Sequence, residues 1–420
     1  MIQTLTLLPG ITLRHFPDNR FKQGTLSLQM VRPMCREENA LNALLPAVLL
    51  RGTARYPDLR AITHRLDDLY GAAVGAVVRR VGDYQTTGLS CGFMEDRFAM
   101  EGDRVLAPML EFLGQLLLEP ALEKGVFRAD YLESEKRNLI FTIEAQRNDK
   151  RIYAGSRLNK HMCKADSFGI PRLGTVAQVE AITAQDLFDH YRKVLEESPI
   201  ELFYVGAASA ETVAELLLPI LKKLPRNPIS LPPQTAFCDG GTGEYTEQME
   251  VAQGKLCMGF VTPVTLRDPG FAAMQVFNTL FGSGMTNKLF MQIREKMSLC
   301  YDIGSGYHGS KGILTVSAGM ECSKKELVQA EVLRQLDSCR AGEITNEELL
   351  SAKQSLISQL RATHDSPAAI EGYYATAALS GLTMTPADYL LAVEAVTKED
   401  VMAAAQSLQK HTVFFLKGVQ

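Results

Sequence analysis

Over the first thirty residues hydrophobic and polar positions largely alternate; beyond them the spacing turns helical. The alternation predicts strands over 4–8, 11–15 and 25–31. Apolar residues at three- and four-residue intervals then predict helices over 38–50 and 58–69. The run AAVGAVVRRVGDYQTTGLSCGFM reads as a pair of strands. RVLAPMLEFLGQLLLEP has helical spacing with Pro120 just past its end, and EKRNLIFTIEAQRND predicts a further helix. The second half repeats the scheme. It has a strand over 255–261, a helix over 271–281, a strand over 312–318 and helices over 325–340, 346–364 and 368–380. Strands separated by pairs of helices predict an α+β chain whose sheets are mainly antiparallel and carry helices packed on them.

The chain also repeats itself. VEAITAQDL runs from Val179 to Leu187, and VEAVTKEDV from Val393 to Val401. Each precedes a helical stretch and then an apolar strand, PIELFYVGA in one case and HTVFFLKGV in the other. Thr183 and Thr397 read as helix N-caps, with Asp186 and Asp400 three places on as the return partners of a capping box. A second strand-like pair is GLSCGFM, from Gly88 to Met94, and LTVSAGM, from Leu314 to Met320. Two pairs in the same order at nearly the same offset indicate duplication. Between the copies, residues 223–248 are rich in Pro and Gly and lack periodicity, the composition of a linker. Two homologous domains are expected, 1–222 and 248–420, joined by 223–247.

Composition narrows the functional classes. The 420 residues carry a formal net charge of -4, and no basic excess points to nucleic acid. No apolar run reaches the roughly 18–20 residues of a membrane helix. The N-terminal stretch lacks the basic and apolar regions of a signal peptide, so a cytoplasmic chain without a membrane partner is expected. The eight cysteines, Cys238 among them, are scattered and never stand as C-x-x-C, which argues against a disulfide framework or zinc ribbon. The chain has neither G-x-x-x-x-G-K-[ST] nor G-x-S-x-G, and its seven histidines never fall at i, i+4. FGSGMTNKLF reads as a tight turn and helix start with Thr286 as cap, and Asp67-Asp68 as a solvated helix face. LFMQIREKMSLCYDIGSGYHG begins as an amphipathic helix through Leu289, Ile293 and Met297 and becomes a strand near Leu299. Across that bend Arg294 and Tyr301 can converge. Arg can hold a carboxylate or peptide carbonyl and Tyr can donate to a developing oxyanion, although spacing alone favours a structural role for both.

LFMQIREKMSLCY resembles the C-terminal-domain signature of the insulinase/pitrilysin-type metallopeptidases, which include mitochondrial processing peptidase and its bacterial relatives. Ser298 stands where that signature usually has Gly. FGSGMTNKLF and FGIPRLGTVAQVEAITAQDL resemble further family landmarks, and the likeness spans nearly the whole chain. It implies two homologous halves closing like a clam shell. Active members carry an inverted zinc motif, H-x-x-E-H, in a context ending K-G-T on the first long helix. Here that context is ALLPAVLLRGT, ending in Arg51-Gly52-Thr53. Ala43 and Ala47 stand at the two His positions and Pro46 at the Glu, so this chain is expected to hold no metal. Glu135 and Glu144 are candidates for the position of the family's third ligand. Arg294 and Tyr301 match the residues that reach the peptide from the second domain.

Some bacterial members of the family work as pairs, in which a subunit without the zinc motif keeps the Arg and Tyr. This chain is similar to that kind, including homologues named for elongation factor P modification. The resemblance implies a zinc-bearing homologous subunit as partner, Zn in that partner, a peptide substrate, and Arg294 and Tyr301 acting in trans. The alternatives are a non-catalytic structural or peptide-binding protein of the same fold, and a zinc endopeptidase acting alone. Pro46 adds a structural expectation. A proline in a helix interior costs about 3 kcal/mol, which predicts a kink or break over 42–45.

Overall fold

The computed structural model describes residues 2–237 and 240–418, which leaves Cys238 outside the described residues. The strands of the first half are β1 (Gln3–Leu8), β2 (Ile11–Pro17), β3 (Gln23–Pro33), β4 (Ala73–Val81), β5 (Tyr84–Met94), a two-strand hairpin β6 (Leu122–Glu123) and β7 (Val126–Phe127), and β8 (Ile200–Gly206). Six of them form one sheet in the order β1-β2-β8-β3-β5-β4. Its pairings are antiparallel except for the parallel β2 and β8. The second half contributes β9 (Gly243–Met249), β10 (Gly254–Val261), β11 (Asp302–His308), β12 (Ile313–Met320) and β13 (Gln409–Gly418). They lie in the order β11-β12-β10-β13-β9, with only β13 and β9 parallel. Read from β9, this sequence of pairings repeats β2-β8-β3-β5-β4. The repeat seen in the residues is thus a repeat of topology, with β1 added in the first copy.

The helices of the first half are α1 (Asn39–Leu49), α2 (Leu59–Asp68), α3 (Leu106–Leu118), α4 (Ala129–Asn148), α5 (Lys150–Met162), α6 (Val176–Ala181), α7 (Ala184–Glu197) and α8 (Ala210–Leu221). Those of the second are α9 (Phe271–Asn278), α10 (Lys325–Arg340), α11 (Asn346–Ala362), α12 (Pro367–Ser380), α13 (Pro386–Ala395) and α14 (Lys398–Ser407). The repeated Thr-x-x-Asp stretches form complete capping boxes at α7 and α14. Thr183 and Thr397 accept from the backbone of Asp186 and Asp400, whose carboxylates accept in return. Asp is therefore long enough to close the box. α3 is apolar nearly all round because both its sides are buried, with Met109, Leu113 and Leu116 among the side chains it adds to the first core.

The compact units are not the two contiguous spans of sequence. One unit holds Met1–Glu144, Pro171–Pro233 and His364–Leu379; the other holds Ala145–Ile170, Gln234–Thr363 and Ser380–Gln420. Side-chain chemistry accounts for both exchanged segments. In the second unit Ala154 and Leu158 of α5 pack with Cys257, Phe414 and Leu416 of the sheet, and Met162 packs with Ile313. In the first unit α12 lies on the opposite sheet face from α1. Its buried Glu371 takes two hydrogen bonds from Arg79, at 2.9 and 2.8 Å, and one each from Ser27 and Gln29, at 2.6 and 2.8 Å. A carboxylate with four such donors is fully compensated for its loss of water.

Candidate functional site

The kink or break expected over 42–45 is not a break: α1 runs continuously through Pro46. Proline leaves the carbonyl four residues earlier without its helical donor. That carbonyl belongs to Asn42, and it accepts instead from the Thr87 hydroxyl on β5 at 2.7 Å. Tertiary packing also holds the helix. Leu44, Leu45 and Leu49 are completely buried in the first core. Asn42 continues a buried polar chain. Its amide nitrogen donates to Gln85 at 3.0 Å and its amide oxygen pairs with His190 at 2.8 Å, while Gln85 donates to the carbonyls of Asn39 and Arg172. Since Asn42 Oδ1 can only accept, His190 Nε2 carries a proton. Burial pushes the imidazole down to about 4.

Ala43 and Pro46 are buried and Ala47 is half-buried. None of the three offers a ligand or a base. Glu135 lies 3.4 Å from Arg51 in an ion pair, and Glu144 is exposed on α4. Among the described residues no group of three or more His, Cys, Asp or Glu side chains is placed to hold a metal ion. Zinc does not fit the residues at these positions, and no chemistry through it is assigned to them. The Arg-Gly-Thr frame has structural reasons to exist. Arg51 also donates to Ser134 at 2.7 Å, a Cβ on Gly52 would stand 2.5 Å from the Pro57 carbonyl, and buried Thr53 accepts from the Tyr56 backbone.

Arg294 and Tyr301 meet in the second unit. They line one cavity of about 370 Å³ together with Glu295, Ser298, Cys300, Glu321 and Lys324. Arg294 is 45% exposed, lies over the Phe290 ring at 4.7 Å and reaches Glu295 only at 3.7 Å. Tyr301 is 52% exposed and its hydroxyl stands 3.5 Å from Glu321. Both polar ends therefore remain accessible. Burial drives the Cys300 thiol up to about 11, so it is a neutral wall of the cavity rather than a nucleophile. Glu321 and Lys324 escaped the sequence reading because they follow β12. The pairing of β11 with β12, continued by the Tyr301 N–H to Gly319 carbonyl bond of 2.8 Å, brings them beside Tyr301.

The segment carrying Arg294, Phe290–Lys296, is π-helical and not the expected amphipathic α-helix. The Met297 N–H bonds back to Gln292, five residues earlier. This underwinding keeps Leu289 and Ile293 fully buried but carries Met297 off their face, leaving it 44% exposed. The helix is capped by Asn287, which accepts from the Phe290 N–H at 2.7 Å, and not by Thr286, whose hydroxyl pairs with Ser351. It closes through Ser298 at φ +52°, the left-handed region where glycine is at ease. The strand then begins at Asp302, later than the expected Leu299.

A duplicated α+β chain with an accessible Arg/Tyr pair, and with Ala43, Pro46 and Ala47 at the positions that resemble the zinc motif, defines a peptidase-like protein. Comparison with known proteins gives that class its family. Residues 181–356 match the family model described as the peptidase M16 inactive domain. The chain is 30% identical over 411 residues to a probable inactive metalloprotease, YmfF, of Bacillus subtilis strain 168, covering 98% of this chain and 96% of that one. It belongs to the M16 peptidase family. Among solved structures, a conserved protein from Enterococcus faecalis V583 superposes with a TM-score of 0.92 at 27% identity, covering 100% of this chain and 99% of that one. The peptidase M16 inactive domain from Pseudomonas fluorescens gives 0.84 at 19%, covering 100% and 98%; at that identity the likeness concerns the fold alone. No helix is long and apolar enough to cross a membrane among the described residues.

Proposed function

We propose that this chain is the metal-free subunit of a two-subunit peptidase. It pairs with a zinc-bearing homologue, cleaves peptides only in that pair, and lends Arg294 and Tyr301 to position the substrate. One contrast carries the reading. The positions matching the zinc motif, Ala43, Pro46 and Ala47, carry neither a ligand nor a base, while Arg294 and Tyr301 keep accessible polar ends in one cavity. In such a pair the guanidinium holds a peptide carbonyl or carboxylate, and the phenol donates to the oxygen on which charge develops. The test is co-purification with a zinc-bearing homologue, followed by peptide hydrolysis. Arg294→Ala and Tyr301→Phe are each expected to lower kcat/KM at unchanged complex yield; full activity in both variants would overturn the proposal.

A second reading, a non-catalytic peptide-binding or structural protein of the same fold, draws on the local contacts of the same pair. The Phe290 ring under Arg294 and Glu321 beside Tyr301 suffice to hold both side chains without any substrate. A stable complex that forms without any zinc-bearing chain would favour it.

A further inference from the structure

The second unit contains a hollow that shares no residue with the Arg294 cavity. It has a volume of about 530 Å³ and separates α5 from β11 and β12 on the sheet face that the helix covers. The helix side presents Arg151, Gly155 and Asn159, spaced i, i+4, i+8 along one face; the strand side presents Gly306, Thr315 and Ser317. Missing side chains create the space. A Cβ on Gly155 would touch nothing within 4 Å, and on Gly306 it would approach only the Thr315 hydroxyl, at 3.7 Å.

Two observations give the hollow a chemical preference. The first is charge. Residues 147–164 carry six Lys or Arg against the single Asp149, in a chain of net charge -4. Arg157 is matched by Glu247 at 2.8 Å, and Lys164 donates to the Tyr245 hydroxyl. Arg151 is exposed at the hollow, and its guanidinium makes no ion pair among the described residues. The second is an unmet acceptor. Asn159 Oδ1 is buried without a hydrogen-bond partner, a desolvation cost that an incoming donor would relieve. An N–H donor next to an anion answers both, and a peptide with acidic side chains supplies the two together.

We propose that this hollow docks an extended acidic peptide segment. Arg151 takes a carboxylate, Asn159 takes a backbone N–H, and the Thr315 and Ser317 hydroxyls face the peptide backbone. Filling Gly155 would close the groove. Docking itself needs neither a zinc-bearing partner nor cleavage. Its use as an anchor for a peptide about to be cut rests on the two-subunit reading above.

The experiment uses the full chain alone and fluorescence anisotropy of labelled, unstructured peptides. One is rich in Asp and Glu, one is its Asn/Gln analogue, and one is rich in Lys and Arg. The acidic peptide is expected to bind at least about tenfold more tightly than either of the others. Gly155→Leu and Arg151→Glu should each weaken it about tenfold without lowering Tm, since Leu has better helix propensity than Gly and Arg151 is exposed. Binding is read on this chain without a zinc-bearing partner and without cleavage, which keeps failure here distinct from failure of the two-subunit reading. Equal binding of the acidic peptide and its Asn/Gln analogue, or no effect of Gly155→Leu, would overturn the proposal. So would a single-stranded oligonucleotide that binds as tightly and responds only to Arg151→Glu, the behaviour of a plain cationic surface.

Discussion

Thr87→Val tests how a proline survives in the middle of α1. The swap keeps the shape of the side chain and removes the hydroxyl that donates to the Asn42 carbonyl at 2.7 Å. Thr87 and Asn42 are both fully buried, so water does not replace the lost donor. Leaving a buried carbonyl short of a partner costs about 1–3 kcal/mol. A Pro46→Ala background changes that figure, because the new N–H at position 46 can serve the same carbonyl. On its own Pro46→Ala gains up to about 3 kcal/mol of helix propensity. It loses about 0.8 kcal/mol per buried methylene, and it makes the Thr87 bond partly redundant. These effects largely cancel, so the coupling between the two substitutions is the informative number. Urea unfolding of the four proteins of the cycle should give a Thr87→Val cost about 1–2 kcal/mol smaller in the Pro46→Ala background. Equal costs in both backgrounds would refute the exchange of donors.

Three further outcomes follow from buried or strained positions. Ser298→Gly should raise stability by up to about 1 kcal/mol, because a side chain at positive φ costs about 1–2 kcal/mol and glycine gives back part of that in chain entropy; thermal unfolding reads the change. The folded pKa of His190 lies at about 4, below the ordinary 6.5, so the unfolded chain takes up a proton that the folded one refuses. Stability should fall by up to about 3 kcal/mol as pH drops from 6.5 through 4, and His190→Gln, which still donates to Asn42, should flatten that part of the denaturation profile. Burial works to raise the Glu38 carboxyl, but hydrogen bonds from Arg32 and Lys193 hold it at about 2, so its own loss comes below the ordinary 4.5 and leaves the window above that pH to His190. Lys311→Met should cost about 3–5 kcal/mol, since it removes the cation 3.0 Å from Asp166, whose side chain is only 1% exposed; the double variant Lys311→Met, Asp166→Leu should recover most of the loss by the same unfolding measurement.

Features carried by local repetition were the ones legible in the residues. The Thr-x-x-Asp stretches marked true helix starts, and the strand-like pair GLSCGFM and LTVSAGM proved to lie in β5 and β12, which hold equivalent places in the two sheets. Arg51-Gly52-Thr53, the frame on which the resemblance to the zinc motif rests, serves packing in the structure. What spacing missed were effects of neighbours distant in sequence. Proline should have broken α1, but the Thr87 hydroxyl, on a strand far along the chain, supplies the missing donor. An i, i+4, i+8 pattern promised a regular helix through Met297, but hydrogen bonds to the fifth preceding residue underwind it. The packing of α5 against the second sheet and of α12 against the first depends on faces that no local pattern reveals.

That exchange of helices bears on the order in which the protein can be made. The first unit needs residues 364–379, so it stays unfinished on the ribosome until most of the second half has emerged as well. The second unit in turn uses residues 145–170, synthesised long before its own sheet exists. Neither half can therefore be completed and set aside while the other is translated. A chain cut at the linker, or expressed as 1–222 alone, would leave a sheet face without the helix that covers it. The duplicated gene thus encodes two copies of one architecture that mature only together.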